Sequence, residues 1–202
     1  FIFVFSKGIE VLTSPNPSSY SIPYEGPLKS FMRFDGNNDF MRFPDFDLQS
    51  EYTFIFVAEL TNKDKTNSVL FDNPESNTTL FYVGQTNDVS SVTAGGQSMD
   101  LKQPRTGTQI LTYNFEDNKV VLSRNGVRIA NNERTNPVSI TNQSSLGANY
   151  TGDSGHLEFS LKEVFVFSDR LNYFEIRQLE KYIKRKLDIK TGDPSTIFMH
   201  NF

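Results

Sequence analysis

Val120-Val121-Leu122-Ser123-Arg124-Asn125-Gly126-Val127-Arg128-Ile129-Ala130 is two β-prone runs around a two-residue turn. Asn-Gly is the strongest short-range hairpin signal, because both central residues of such a turn need positive φ, which Asn and Gly tolerate. Upstream, Ile110 to Phe115 predicts a partner strand, with Leu111, Tyr113 and Phe115 on one face. Tyr52 to Leu60 predicts another: Tyr52, Phe54, Phe56, Ala58 and Leu60 share one face, while Ile55 and Val57 make the other apolar too. A strand apolar on both faces reads as central and covered twice. Val69–Phe71 and Leu80–Val83 are further strands, and Phe34-Asp35-Gly36-Asn37-Asn38-Asp39-Phe40-Met41-Arg42-Phe43-Pro44 reads as strand, turn, strand. Many short strands between polar turns predict a two-sheet antiparallel sandwich or jelly roll.

One helix closes the pattern. Asn172 followed by Glu175 fits a capping box; Ile176, Leu179, Ile183 and Leu187 form an apolar stripe. Lys181, Lys184, Arg185 and Lys186 crowd the C-terminal half, where positive charge complements the helix dipole, and read as a solvated helix end rather than a phosphate site. Before the strands, Phe1 to Phe5 and Ile9 to Leu12 read as short strands, followed by a Pro- and Ser-rich stretch from Thr13 to Pro27. The expected organisation is therefore an N-terminal arm or edge strand over residues 1–30, a jelly-roll domain over 31–189, and a tail over 190–202. In that tail Ile197, Phe198, Met199 and Phe202 are apolar enough to dock on this domain or a neighbour.

Composition removes several function classes. The 202 residues include 19 Phe and 8 Tyr but no Trp, so phenyl rings must build the core. The absence of Cys excludes disulfides, thiol catalysis and zinc–thiolate sites; it fits cytosolic assembly, which includes virion proteins, and many bacterial secreted proteins lack Cys too. A formal charge of −4 offers no footprint for nucleic acid. No apolar run reaches the ~18 residues that a membrane-spanning helix requires. A chain opening on Phe1 without a signal-like segment reads as processed or partial.

In their order, these motifs resemble the concanavalin A-like lectin/glucanase superfamily, in the laminin G-like and pentraxin-like branch of bacterial and phage proteins. The resemblance covers residues 31–189. It rests on the Asp35-Gly36-Asn37-Asn38-Asp39 turn, Tyr52 to Leu60, the Asn125-Gly126 hairpin, Leu146-Gly147-Ala148-Asn149, and Leu161-Lys162-Glu163-Val164-Phe165-Val166-Phe167 before a short helix. Two positions depart from the pattern: Thr108-Gln109 stands where the family often has Trp, and Phe159 where it usually has Gly. The resemblance implies an all-β, two-sheet jelly-roll sandwich with one short C-terminal helix.

Glucanases of that superfamily carry a Glu-x-Asp-x-x-Glu-like run, which this chain lacks. Glu158 and Glu163, five apart, fall on opposite faces of a regular strand, whereas retaining glycosidases need carboxylates about 5 Å apart. Asp153-Ser154-Gly155-His156 holds triad letters, yet sequence neighbours seldom face one another as a triad requires, so it reads as a polar loop. Catalysis is accordingly not expected, and a glycoside hydrolase ranks last. Asp35, Asn37 and Asp39 place oxygen ligands at alternate positions, making calcium the candidate metal, although Asp, Asn and Gly are also what a β-turn prefers. Asn149, Tyr150 and Asp153 form a candidate ligand-binding loop. Of the aromatic side chains that could stack on a sugar, Tyr150 competes with Tyr82 and Tyr113, both of which have core roles open to them.

The preferred expectation is a non-catalytic recognition or assembly module, such as a phage fibre, decoration or tail component. It would contact neighbouring structural subunits, copies of itself, or host glycans. The alternative is a secreted carbohydrate-binding or adhesion domain of a bacterial surface protein.

Overall fold

A computed structural model describes residues 2–4, 31–60, 68–73, 78–83, 89–94, 97–102, 107–116, 119–133 and 139–189. The sequence expectations for Ile9 to Leu12, for the Pro-rich stretch and for the tail from 190 onward lie outside these residues.

Among the described residues, thirteen strands form two antiparallel sheets. The seven-stranded sheet comprises β1 (Ile2–Val4), β2 (Met32–Asp35), β4 (Tyr52–Leu60), β9 (Gly107–Glu116), β10 (Lys119–Arg124), β11 (Val127–Glu133) and β13 (Glu158–Phe167). Its order is β1-β13-β4-β9-β10-β11, and β2 shares the β13 edge with β1: β1 pairs with Phe165 to Phe167, β2 with Glu158 to Leu161. The six-stranded sheet runs β3 (Met41–Leu48), β12 (Ile140–Leu146), β5 (Ser68–Asn73), β6 (Thr78–Val83), β7 (Val89–Ala94), β8 (Gln97–Lys102). The strands β7, β8 and β12 lacked a clear sequence signal; runs such as Val89-Ser90-Ser91-Val92-Thr93-Ala94 carry few apolar side chains.

The main core lies between the sheets. Phe54, Phe56, Tyr113, Phe115 and Phe159 from the larger sheet meet Met41, Leu70, Phe71, Ile140 and Leu146 from the smaller one. Ring pairs carry much of this packing: Tyr52 stacks on Phe115 with centroids 4.3 Å apart, and Phe34 on Phe159 at 4.4 Å. Such contacts add roughly 0.5–1.5 kcal/mol each beyond area burial. Tyr113 belongs to this core, fully buried, and so provides no sugar platform.

The doubly apolar reading of β4 holds, and the helix explains it. Ile55, Val57, Ile110 and Phe165 face outward from the larger sheet and are covered by Ile183 of α1 (Tyr173–Lys186), with Leu179 and Leu187 packed beside them. The capping box of Asn172 and Glu175 forms as read, with Glu175 N–H donating to Asn172 Oδ1 at 3.0 Å and Asn172 N–H to Glu175 Oε2 at 2.7 Å. Thr53 and Asn114, buried and hydrogen-bonded to each other, hold the carbonyl and amide of Leu171 and so set the helix entry. Leu187 caps the helix and Asp188 turns left-handed behind it.

One parity argument is corrected. The register between β13 and β4 slips between Leu161 and Glu163, a β-bulge at Lys162. The extra residue reverses the alternation, so Glu163 points outward with Phe165 rather than inward. Glu158, next to inward Phe159, is therefore on the same face as Glu163, not the opposite one. Five residues of strand still separate them by roughly 15 Å. Glu158 lies 3.7 Å from Arg33, and Glu163, nearly buried, pairs with Lys186 of the helix.

Candidate functional site

Two chain segments cross between the sheets at one edge of the sandwich. The Asp35 to Phe40 turn leads from β2 in the larger sheet to β3 in the smaller. The Gly147 to Leu157 loop returns from β12 to β13. Both candidate loops of the sequence are therefore neighbours, and their contact is tight. A Cβ on Gly147 would lie 2.7 Å from the Phe34 ring, and one on Gly152 2.5 Å from the Phe40 ring. Both glycines also have positive φ, +87° and +73°, so no side chain suits either place.

In the first turn Asp35 Oδ1 accepts from the Asn37 amide at 2.7 Å and the Asn38 amide at 3.4 Å, while its other oxygen accepts from the Asn37 side chain at 3.3 Å. Asp39 Oδ2 accepts from the Asp35 amide at 2.9 Å. Partial desolvation pushes the Asp35 carboxyl up, but the Asn37 and Asn38 donors outweigh it and hold the pKa below the usual 3.8. Carboxylates turned toward amide donors make a poor fit to calcium, which takes six to eight oxygens about 2.3–2.6 Å away. No group of three or more His, Cys, Asp or Glu suited to a metal occurs among the described residues.

The second loop is built around Asn149. Its Oδ1 accepts from the amides of Gly152, Asp153 and Ser154, and its Nδ2 donates to Asp153 Oδ1 at 2.8 Å. Asp153 Oδ1 also accepts from Thr151 Oγ1 at 2.7 Å. These side-chain donors hold the Asp153 carboxyl below its ordinary range. Its side-chain partners, Asn149 and Thr151, belong to its own loop. Asn149 and Asp153 thus shape the loop, and what the loop presents is Tyr150.

Tyr150 lies over the outer face of the six-stranded sheet, the face opposite inward-pointing Met41 and Phe71. Its amide is anchored to Asp72 Oδ2 on β5 at 2.8 Å. The Arg42 guanidinium of β3 sits 4.6 Å from the Tyr150 ring centroid and 5.8 Å from that of Phe40. Gln143 Oε1 on β12 accepts from the Tyr150 hydroxyl at 3.3 Å and from Arg42 at 3.5 Å. The β3–β12 register slips between Asn142 and Ser144 with the extra residue on β3, and Arg42 pairs with Ser145, two residues along β12 from Gln143. Arg42, Gln143 and Phe40 were missed from the sequence; the one available signal was a lone cation between Met41 and Phe43. The resulting patch is part-exposed, flat, cationic and aromatic. It can stack on a ring and donate hydrogen bonds.

No family model and no curated protein matches this chain. Solved structures do. The sialidase of Trypanosoma rangeli in complex with sialic acid is similar with TM-score 0.61 at 13% identity, over 77% of this chain and 28% of that one. The chain thus spans little more than a quarter of that enzyme. Domain 4 of AbnA, a GH43 extracellular arabinanase from Geobacillus stearothermophilus in complex with arabinotriose, matches with TM-score 0.56 at 15% identity, over 78% of this chain and 84% of the domain. The binding domain of botulinum neurotoxin serotype D matches with TM-score 0.56 at 11% identity, over 74% of this chain and 42% of that one. At such identities the likeness shows the fold alone: a two-sheet antiparallel β-sandwich.

Proposed function

We propose that the chain is a non-catalytic glycan-recognition module acting outside the cell, with Tyr150, Arg42 and Gln143 as its contact surface. The observation that carries this reading is the patch itself: a half-buried aromatic ring and hydrogen-bonding side chains brought together on the sheet face opposite the helix. A rigid sandwich presenting a loop-borne ring is a suitable recognition scaffold. The likeness to a whole domain solved with arabinotriose supports a carbohydrate rather than a protein ligand. Fold alone assigns no function, so the weight falls on the patch.

This favours the secreted carbohydrate-binding or adhesion domain over the virion component, for which neither the fold likeness nor the patch offers specific support. Non-catalysis draws support from the ~15 Å between Glu158 and Glu163, well beyond the roughly 5–9.5 Å that glycosidase carboxylate pairs span.

A glycan array run with and without EDTA tests the proposal. Specific binding that survives EDTA and falls at least tenfold in Tyr150→Ala is the expected result. An array with no specific signal, or turnover of a β-glucan in a reducing-sugar assay, overturns it.

A further inference from the structure

Among the described residues, Arg42 lies within 4 Å of no carboxylate. Its contacts are the Tyr150 and Phe40 rings and the Gln143 oxygen, and it joins no ion pair among the described residues. This contrasts with Arg33, Arg170 and Arg177, each of which lies within 4 Å of a glutamate. Asp72 shares the cross-strand row through Ser145, its backbone two strands and about 10 Å from that of Arg42. One of its oxygens is taken by the Tyr150 amide.

The donors around Arg42 point the same way. A guanidinium has five N–H donors, and one of them reaches Gln143. Because Gln143 Oε1 accepts from both Tyr150 and Arg42, its NH2 is left to donate outward. A neutral sugar hydroxyl is commonly held by a carboxylate that accepts its hydrogen bond; this patch offers donors and a positive charge instead. The planar fork of Arg fits a carboxylate through two parallel hydrogen bonds, and the Tyr150 ring lies beside it with its centroid 4.6 Å away.

Resting on the glycan-binding reading above, we infer that the Arg42 patch selects sugars bearing a carboxylate, such as uronic acids. The carboxylate docks on the Arg42 fork and the Gln143 amide, and the sugar ring rests beside Tyr150. Charge-assisted pairs of this kind are worth about 10- to 100-fold in affinity.

The test is calorimetry on the whole chain with three probes: trigalacturonic acid, its methyl ester, and neutral arabinotriose, with 3′-sialyllactose and lactose as a second acid and neutral pair. Acidic probes are expected to bind at least tenfold more tightly than their neutral or esterified counterparts, with affinity falling as salt rises. Arg42→Lys, which keeps the charge and loses the fork, is expected to lose at least tenfold for the acids, and Gln143→Ala about threefold, with thermal unfolding unchanged. Equal affinity for acid and ester, or an unaffected Arg42→Lys variant, overturns this inference while leaving glycan binding intact. Absence of binding to every probe removes this inference, and the glycan array decides the reading on which it rests.

Discussion

The carbonyl oxygen of Gly126 accepts a hydrogen bond from Arg177 Nη1 at 3.1 Å, tying the β10–β11 hairpin to the helix that follows the last strand. Beside it, Lys184 Nζ donates to the Asn125 carbonyl at 3.1 Å, and Asn125 Oδ1 accepts from the Ile110 amide at 2.8 Å. The hairpin tip is thereby a docking point for α1. A Cβ on Gly126 would lie 2.1 Å from Arg177 Nη1 and 2.7 Å from Glu180 Oε2.

Gly126→Ala is expected to destabilise the fold by about 1–3 kcal/mol, from strain at its positive φ together with this crowding. Gly107→Ala is the matched control, because its φ is +93° but nothing lies within 4 Å of the added methyl. Urea unfolding of both, and of Gly126→Ala combined with Arg177→Ala, separates the two causes. Equal losses at positions 107 and 126 would mean that the helix contact contributes nothing.

Two carboxylates are expected to give pH dependences of opposite sign. Burial pushes Glu180 above the ordinary 4.5; the Thr112 hydroxyl, Lys184 and Arg177 offset this only in part. Its contribution to stability is present in full below 4.5 and is lost as pH rises through the folded value. Asp35, held below 3.8, contributes above that value and loses the contribution as pH falls through its lower folded value. Unfolding of the parent, Glu180→Gln and Asp35→Asn from about pH 2.5 to about pH 8 checks both signs. A parent-minus-variant difference that stays flat with pH at either position would refute that assignment.

Loop placement is expected to control the candidate ligand patch at a distance. In Gly152→Ala the new methyl meets the Phe40 ring and must displace the loop that carries Tyr150. Affinity for a bound glycan should drop at least fivefold, while Arg42 and Gln143 remain unaltered. A variant that binds as well as the parent would show that the loop is not positioned by this contact.

The Asp35 turn is expected to ignore calcium. Titration of the parent should give no saturable heat, and EDTA should leave the melting temperature unchanged. Asp39→Ala removes the acceptor of the Asp35 amide and should cost about 1 kcal/mol with or without the ion. A saturable calcium heat that vanishes in this variant would restore the metal site.

Much of the fold was legible because its signals are local. The two φ-positive residues of the Asn125-Gly126 turn, the capping box at Asn172, and the apolar alternation of Tyr52 to Ala58 are each settled within a few residues. The candidate site was only half legible. Tyr150 could be picked out as an aromatic in a polar loop, but Asn149 and Asp153 spend their hydrogen bonds shaping that loop. Arg42 and Gln143 stand 101 residues apart in the chain, and only the β3–β12 pairing, which sets Arg42 opposite Ser145, places them together. A bulge turned Glu163 toward the helix, where strict alternation would have pointed it into the core.

The sequence by itself determined that this chain builds β-strands from phenyl-rich runs, where it turns, and that one amphipathic helix follows the last strand. Those choices depend on backbone preferences and on side-chain periods of two and 3.6 residues, which any chain carries locally. Only the tertiary structure decided which strands share a sheet, which face the helix covers, and that Tyr150 comes to rest on Arg42. Register and bulges depend on contacts between distant segments, whose strength is set by packing and burial in the assembled sandwich.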